Sequence, residues 1–164
     1  MAHNDPESGV ADLGFARVDT GRHDRTGDPE VVYGAGKTTQ QVIAILRTLH
    51  QAHPTRAVMA TRVADAAAVA AGLDDLPLSV DIEAGAVVVG TMPVTTGLVG
   101  IVAAGTSDGT VAAEAALTVL VHGAGVTRIT DVGVAGLHRV MAARAQLDEC
   151  DCLIVVAGME GALP

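Results

Sequence analysis

Three short apolar runs, at residues 98–103, 127–132 and 153–157, alternate with two helical stretches at 110–124 and 137–147. No other feature limits the fold as much. Each run is too short for an ordinary helix and is apolar at successive positions, the pattern of a strand covered on both faces. Strands alternating with helices of this length make βαβ units, and hence a parallel sheet with helices on its faces. Composition agrees where it bears on packing: 49% of the residues are hydrophobic, 19 are glycine, and the aromatics are one Phe and one Tyr. Small and branched side chains let helices and strands approach closely.

The preceding sequence has a different texture. Residues 1–29 are polar and mixed in charge, with one apolar patch at 13–18, and read as a partly ordered arm. Residues 30–90 read as a small α/β unit. In it Val31, Val32 and Tyr33 are extended, Gly34-Ala35-Gly36 turns, and Thr38 with Gln41 forms a capping box that starts a helix. Val42, Ile45, Leu46 and Leu49 give that helix one apolar face, and it should end near Gln51, before Pro54. A strand at 57–61 leads to an alanine-rich helix at 64–71, which Gly72 is expected to close in the left-handed conformation. Strands at 78–82 and 86–89 form a hairpin around Glu83-Ala84-Gly85. Residues 91–97, with Pro93 and three threonines, are the linker, and 98–164 form the second, αβα domain. The fold class is therefore α/β, a small front unit followed by a three-layer parallel-sheet domain.

A formal charge of -9 and the lack of a long Lys/Arg run argue against nucleic acid as a partner, because phosphate neutralisation supplies most of that affinity. No basic n-region precedes an apolar stretch at the N-terminus, and no segment approaches ~18 strongly apolar residues. The expectation is a cytoplasmic protein with no membrane partner. Cys150 and Cys152, one residue apart, have poor disulfide geometry and suit a reducing compartment. With no activating base beside them, they read as structural thiols. His50 and His53 have i,i+3 spacing but sit at a helix C-terminus, which the dipole favours, and no third ligand is obvious, so no metal site is assigned.

Each strand of the second domain is followed by a glycine-bearing loop: Gly105-Thr106-Ser107-Asp108-Gly109, then residues 131–139, then residues 158–164. Ligands of parallel α/β sheets bind at the carboxyl ends of the strands, so the loops should converge on one crevice. The first can hold a phosphate. Gly105 lets the backbone approach an anion, Thr106 and Ser107 offer hydroxyls, and the next helix presents its N-H groups. Helix capping by Ser107 or Asp108 is the other use of those residues. No Walker sequence or dinucleotide fingerprint is present. In the second loop His138 and Arg139, at a helix start, can face a carboxylate or phosphate, and Asp131 can orient His138, bind a sugar hydroxyl or cap the turn. In the third, Glu160 lies near Gly158, Met159 and Gly161 at the end of a buried strand, a place suited to acid-base duty or simply to a surface carboxylate.

Taken together the chain resembles the LarB family of nickel-pincer cofactor biosynthesis, which is related to PurE, the aminoimidazole ribonucleotide carboxylase. The resemblance runs over residues 15–164. It rests on Phe15-Ala16-Arg17-Val18-Asp19, Pro29-Glu30-Val31-Val32-Tyr33-Gly34 with Gly36-Lys37-Thr38, Gly105-Thr106-Ser107-Asp108, and the second and third loops. It implies a PurE-like, flavodoxin-like domain in a homo-oligomer. It also implies carboxylation of the pyridinium ring of nicotinic acid adenine dinucleotide with CO2 or bicarbonate, and phosphoanhydride hydrolysis that releases AMP and pyridinium-3,5-biscarboxylate mononucleotide. Asp108, His138 and Glu160 would be catalytic, and Gly105, Thr106, Ser107, Asp131, Arg139, Gly158, Met159 and Gly161 would bind substrate. No resident cofactor is assigned, although a divalent cation such as Mg is compatible with a phosphate site. The alternatives are a PurE-type carboxylase and a nucleotide-binding fragment. PurE proteins carry a histidine in the third loop where this chain has Ala162, and a methyl group cannot move a proton. Chains of the LarB family continue past the third loop to a cysteine nucleophile, which neither Cys150 nor Cys152 matches, so the second domain is expected to be incomplete.

Overall fold

A computed structural model of the chain describes residues 3–5, 9–159 and 161–164. Contacts divide it into two compact units, Met1–Met92 and Pro93–Pro164.

The first unit holds two sheets. β1 (His3–Asp5), β2 (Val10–Asp12) and β3 (Arg17–Asp19) form an antiparallel sheet in that order, with Ala11 opposite Val18. Ala11 and Val18 are each only 2% exposed and belong to the main cluster of the unit, so the stretch read as a polar arm supplies part of the core. Two apolar residues in a polar run gave too little periodicity to reveal the strands. A short helix, α1 (Arg22–Thr26), follows.

The second sheet runs β4-β5-β7-β6, from β4 (Val32–Tyr33), β5 (Val58–Thr61), β6 (Leu78–Asp81) and β7 (Ala86–Val89). β4 and β5 are parallel because α2 (Thr39–Ala52) crosses between them, and the other pairs are antiparallel. The capping box forms in full: Gln41 N-H donates to Thr38 Oγ1 at 3.2 Å and Thr38 N-H to Gln41 Oε1 at 2.9 Å. Val42, Ile45, Leu46 and Leu49 are all buried, as their spacing predicts. The hairpin turns at Gly85 with φ +57°.

α3 (Ala66–Ala71) departs from expectation at its end. Gly72 has φ −84° and ψ 0°, which is right-handed. Glycine there makes room rather than a left-handed turn, since a Cβ would displace the Ile43 Cδ1 tip of α2.

In the second unit β8 (Leu98–Ala103), β9 (Gly125–Ile129) and β10 (Cys152–Val156) form a parallel sheet in the order β10-β8-β9. α4 (Gly109–Val121) and α5 (Leu137–Asp148) make the crossovers. Ile101 and Ala103 pack with Ala112 and Ala116 of α4, whereas Val102 packs with Ile129, Val140, Ala143 and Leu147 on the α5 side. Each face of the sheet is thus covered by one helix, which is why β8 is apolar at successive positions. α4 stops at Val121 instead of Ala124 because Gly123 turns left-handed, with φ +84°. β9 starts and ends earlier than its apolar run. Beyond Ile129 the chain bends at Asp131, φ +60°, and Val132 and Gly133 donate to the carbonyls of Ala103 and Ala104 at 3.2 and 3.0 Å. Among the described residues no helix is long and apolar enough to cross a membrane.

Candidate functional site

The strand order places β8 at the centre with its two successors on opposite sides, which is a topological switch point. A crevice of about 340 Å³ opens there, at the carboxyl ends of the strands. The first loop contributes Ala104, Gly105, Ser107 and Asp108; the second, Gly133, Val134 and Ala135; the third, Ala157, Gly158, Met159, Ala162 and Leu163.

The first loop is organised from its own residues. A 3-10 turn, Thr106–Asp108, precedes α4, and the Gly105 N-H donates to Asp108 Oδ2 at 2.9 Å. Asp108 therefore ties its carboxylate back to the turn. Asp108 thus acts as the capping carboxylate of the turn that leads into α4, whereas no side chain caps the first residue of α4 itself. The Gly109 N-H at the start of α4 donates back to the Thr106 carbonyl, so the turn runs without a break into the helix.

The second loop closes on itself. Arg139 Nη1 meets Asp131 Oδ2 at 2.9 Å, and the guanidinium packs where a Cβ of Gly136 would stand. Asp131 thus pairs with Arg139. Both partners are well exposed, at 38% and 67%, so the pair adds little to stability and acts mainly on the shape of the loop. His138 is exposed in the first turn of α5.

Of the residues expected at the site, Gly105, Ser107, Asp108, Gly158 and Met159 share the crevice wall, whereas Thr106, Asp131, His138, Arg139 and Gly161 do not line it. Glu160 lies outside the described residues. Among the described lining residues Asp108 is the one titratable group, so the walls offer one carboxylate, one hydroxyl, backbone N-H groups and apolar side chains. The small apolar residues Ala104, Val134, Ala135, Ala157 and Leu163 were not singled out from sequence. Their only signal is position, a few residues past each strand end.

Elsewhere, Cys150 is half-buried, with its thiol 3.3 Å from the Gln146 carbonyl, and Cys152 is exposed. Among the described residues no group of three or more His, Cys, Asp or Glu side chains could hold a metal ion. His53 instead meets His23 edge-on, with ring centroids 5.8 Å apart. His50 Nδ1 and His53 Nε2 are buried with no hydrogen-bond partner. Burial, then the nearby His23, holds the His53 pKa below its ordinary value.

Comparison with known proteins gives two matches. Residues 10–88 match the family model described as the LarB/PurE-like N-terminal domain. An uncharacterized protein of Methanocaldococcus jannaschii is 37% identical over 158 residues, an alignment covering 90% of this chain and 61% of that protein. The chain thus spans less than two thirds of the length of that relative.

Proposed function

The chain belongs to the LarB family, and on that premise we propose that it acts in the LarB-type reaction. In this reaction nicotinic acid adenine dinucleotide is carboxylated on its pyridinium ring with CO2 or bicarbonate. Hydrolysis of the phosphoanhydride then releases AMP and pyridinium-3,5-biscarboxylate mononucleotide. The observation that supports the reading is the convergence of three strand-end loops on one crevice, with Gly105, Ser107 and Asp108 at the start of α4.

The chemistry sets three demands. The phosphates must be fixed so that the ring is oriented, the incoming carboxylate needs donors, and a nucleophile must add to the electron-poor ring before its carbon can attack CO2 and lose its proton, a role assigned to none of the described crevice residues. In this proposal the helical turn Thr106–Asp108, with the positive end of the dipole behind it, and the Ser107 hydroxyl hold phosphate. Asp108 keeps the turn in shape through Gly105 and offers its carboxylate to a ribose hydroxyl or to the departing proton. Val134, Ala135 and Met159 give the ring an apolar wall that limits water. Arg139, paired with Asp131, sets the second loop, whereas His138 is exposed and off the crevice wall, so its proton-carrying role comes from the resemblance alone. Glu160 holds its acid-base role from its sequence position and the resemblance, since it lies outside the described residues. No step is assigned to a divalent cation.

Ala162 lines the crevice, and in this reading it counts against a PurE-type carboxyl transfer, which uses a histidine at that place. Association into a homo-oligomer belongs to the proposal. Leu153 and Ile154 on the edge strand β10, and Leu137 and Met141 on α5, are exposed apolar residues of the kind an interface covers. Light scattering after size exclusion should then give a mass above that of the monomer.

The decisive experiment incubates the chain with nicotinic acid adenine dinucleotide and 13C-bicarbonate and follows AMP and labelled mononucleotide by mass spectrometry. Dinucleotide binding is expected, weakened at least about tenfold by Ser107→Ala or Asp108→Asn, and both products together would show that the ring nucleophile is supplied as well. Dinucleotide binding without AMP would replace this reading with that of a nucleotide-binding module. Turnover of aminoimidazole ribonucleotide instead would replace it with the PurE reaction.

A further inference from the structure

The motifs at residues 15–19 and 29–38 come together in the first unit. Arg17 of β3, Glu30, Tyr33 of β4 and Lys37 surround a cavity of about 260 Å³ floored by Val32 and Ile45. In a chain of net charge -9 this cavity has two cations and one carboxylate on its walls.

The carboxylates nearby are already engaged. Glu30 Oε2 accepts from the Asp19 N-H at 2.8 Å, and Asp19 in turn pairs with Arg22 and Arg25. Among the described residues no ion pair involves Arg17 or Lys37. Lys37 Nζ donates to the Tyr33 carbonyl at 2.7 Å, which fixes the ammonium at the end of β4 and leaves two of its three N-H donors for another acceptor.

Gly34-Ala35-Gly36-Lys37-Thr38 has the composition of a phosphate loop but not its shape. Lys37 N-H donates to the Gly34 carbonyl at 3.0 Å, which makes a tight turn, and Thr38 and Gln41 close the capping box on each other. Recognition of an anion here falls to the Arg17 and Lys37 side chains rather than to a backbone cradle. Tyr33 adds an aromatic face. It is the one tyrosine of the chain and is 57% exposed, although the core is otherwise built from aliphatic residues. The cavity volume exceeds the ~150 Å³ that holds one benzene ring.

We infer that this cavity binds a small aromatic carboxylate, with the carboxylate forked by Arg17 and met by Lys37 and the ring against Tyr33. Arginine suits this task because its planar donors match a carboxylate in pairs. Glu30 opposes the ligand charge and so limits affinity. The inference does not rest on the reaction proposed for the other unit.

The test is an amide NMR titration of the full chain with benzoate, benzamide and inorganic phosphate. Benzoate should give saturable shifts at Arg17, Tyr33 and Lys37 while leaving Gly105 and Ser107 in place, so the outcome is separable from that of the crevice. Benzamide, which has the ring without the charge, should bind at least about tenfold more weakly, and phosphate, which has the charge without the ring, should also bind more weakly. Arg17→Gln and Lys37→Gln should each raise the benzoate Kd by about tenfold. Glu30→Gln, which keeps an acceptor for Asp19, should lower it. Absence of saturable shifts, equal response to benzamide, phosphate binding as tight as benzoate, or indifference to Arg17→Gln would each overturn the inference. If a variant loses the dispersed spectrum of the fold, the three-probe comparison on the unaltered chain decides.

Discussion

Asp108 shows how one side chain can be structural and still sit in a site. Its carboxylate satisfies the Gly105 N-H, so Asp108→Ala leaves that donor without its acceptor and should cost about 1 kcal/mol. Amide exchange at Gly105 should quicken accordingly, and an unchanged rate would show that the bond does not hold the turn. His53 makes a prediction about pH. The folded chain holds it below its ordinary value of 6.5, first through burial and then through His23. The unfolded chain therefore binds more protons in this window, so stability rises with pH and is lost as pH falls through 6.5 toward the lower folded value. The melting temperature should drop between pH 7.5 and pH 5.5, and His53→Leu should shrink that drop. Sequence could name Asp108, Asp131, His138 and Arg139 as chemical groups. It could not choose between Arg139 and His138 as the partner of Asp131, because that choice follows from a left-handed bend at Asp131 and from the space above Gly136.

Among the elements, α2 was the most legible from sequence, because its start and its buried face rest on neighbours within one or two turns. Thr38→Ala removes half of the capping box and should lower stability by about 1 kcal/mol, read from the midpoint of urea unfolding. The contact between α2 and α3 was not legible, since Gly72 and Ile43 lie far apart in sequence. A Cβ at Gly72 overlaps Ile43 Cδ1, which must turn aside, so Gly72→Ala should cost about 1 kcal/mol or less. Adding Ile43→Val should recover part of that loss. Additive effects of the two changes would mean that they do not touch. β2 and β3 were missed for a related reason: each is three residues long, and their apolar centres, Ala11 and Val18, acquire meaning only when paired across the turn.

At the scale of the chain, the division between Met92 and Pro93 falls inside the stretch read as a linker. Val94 is 90% exposed and residues 91–97 form no helix or strand, so limited proteolysis should cut there first and release two fragments of nearly unit size. First cleavage within β8 or β7 would contradict this division. The sequence by itself determined the alternation of strands and helices, the parallel sheet of the second unit and the glycine loops after its strands. All of these follow from periodicity and local turn chemistry, which act over a few residues. Tertiary structure decided the strand order that puts β8 between β9 and β10, and with it which loop residues share the crevice. It also decided that Ala11 and Val18 are core, and that Arg17 and Lys37 face one cavity. These outcomes depend on groups distant along the chain meeting in space, where burial and close approach, rather than local propensity, set the free energy.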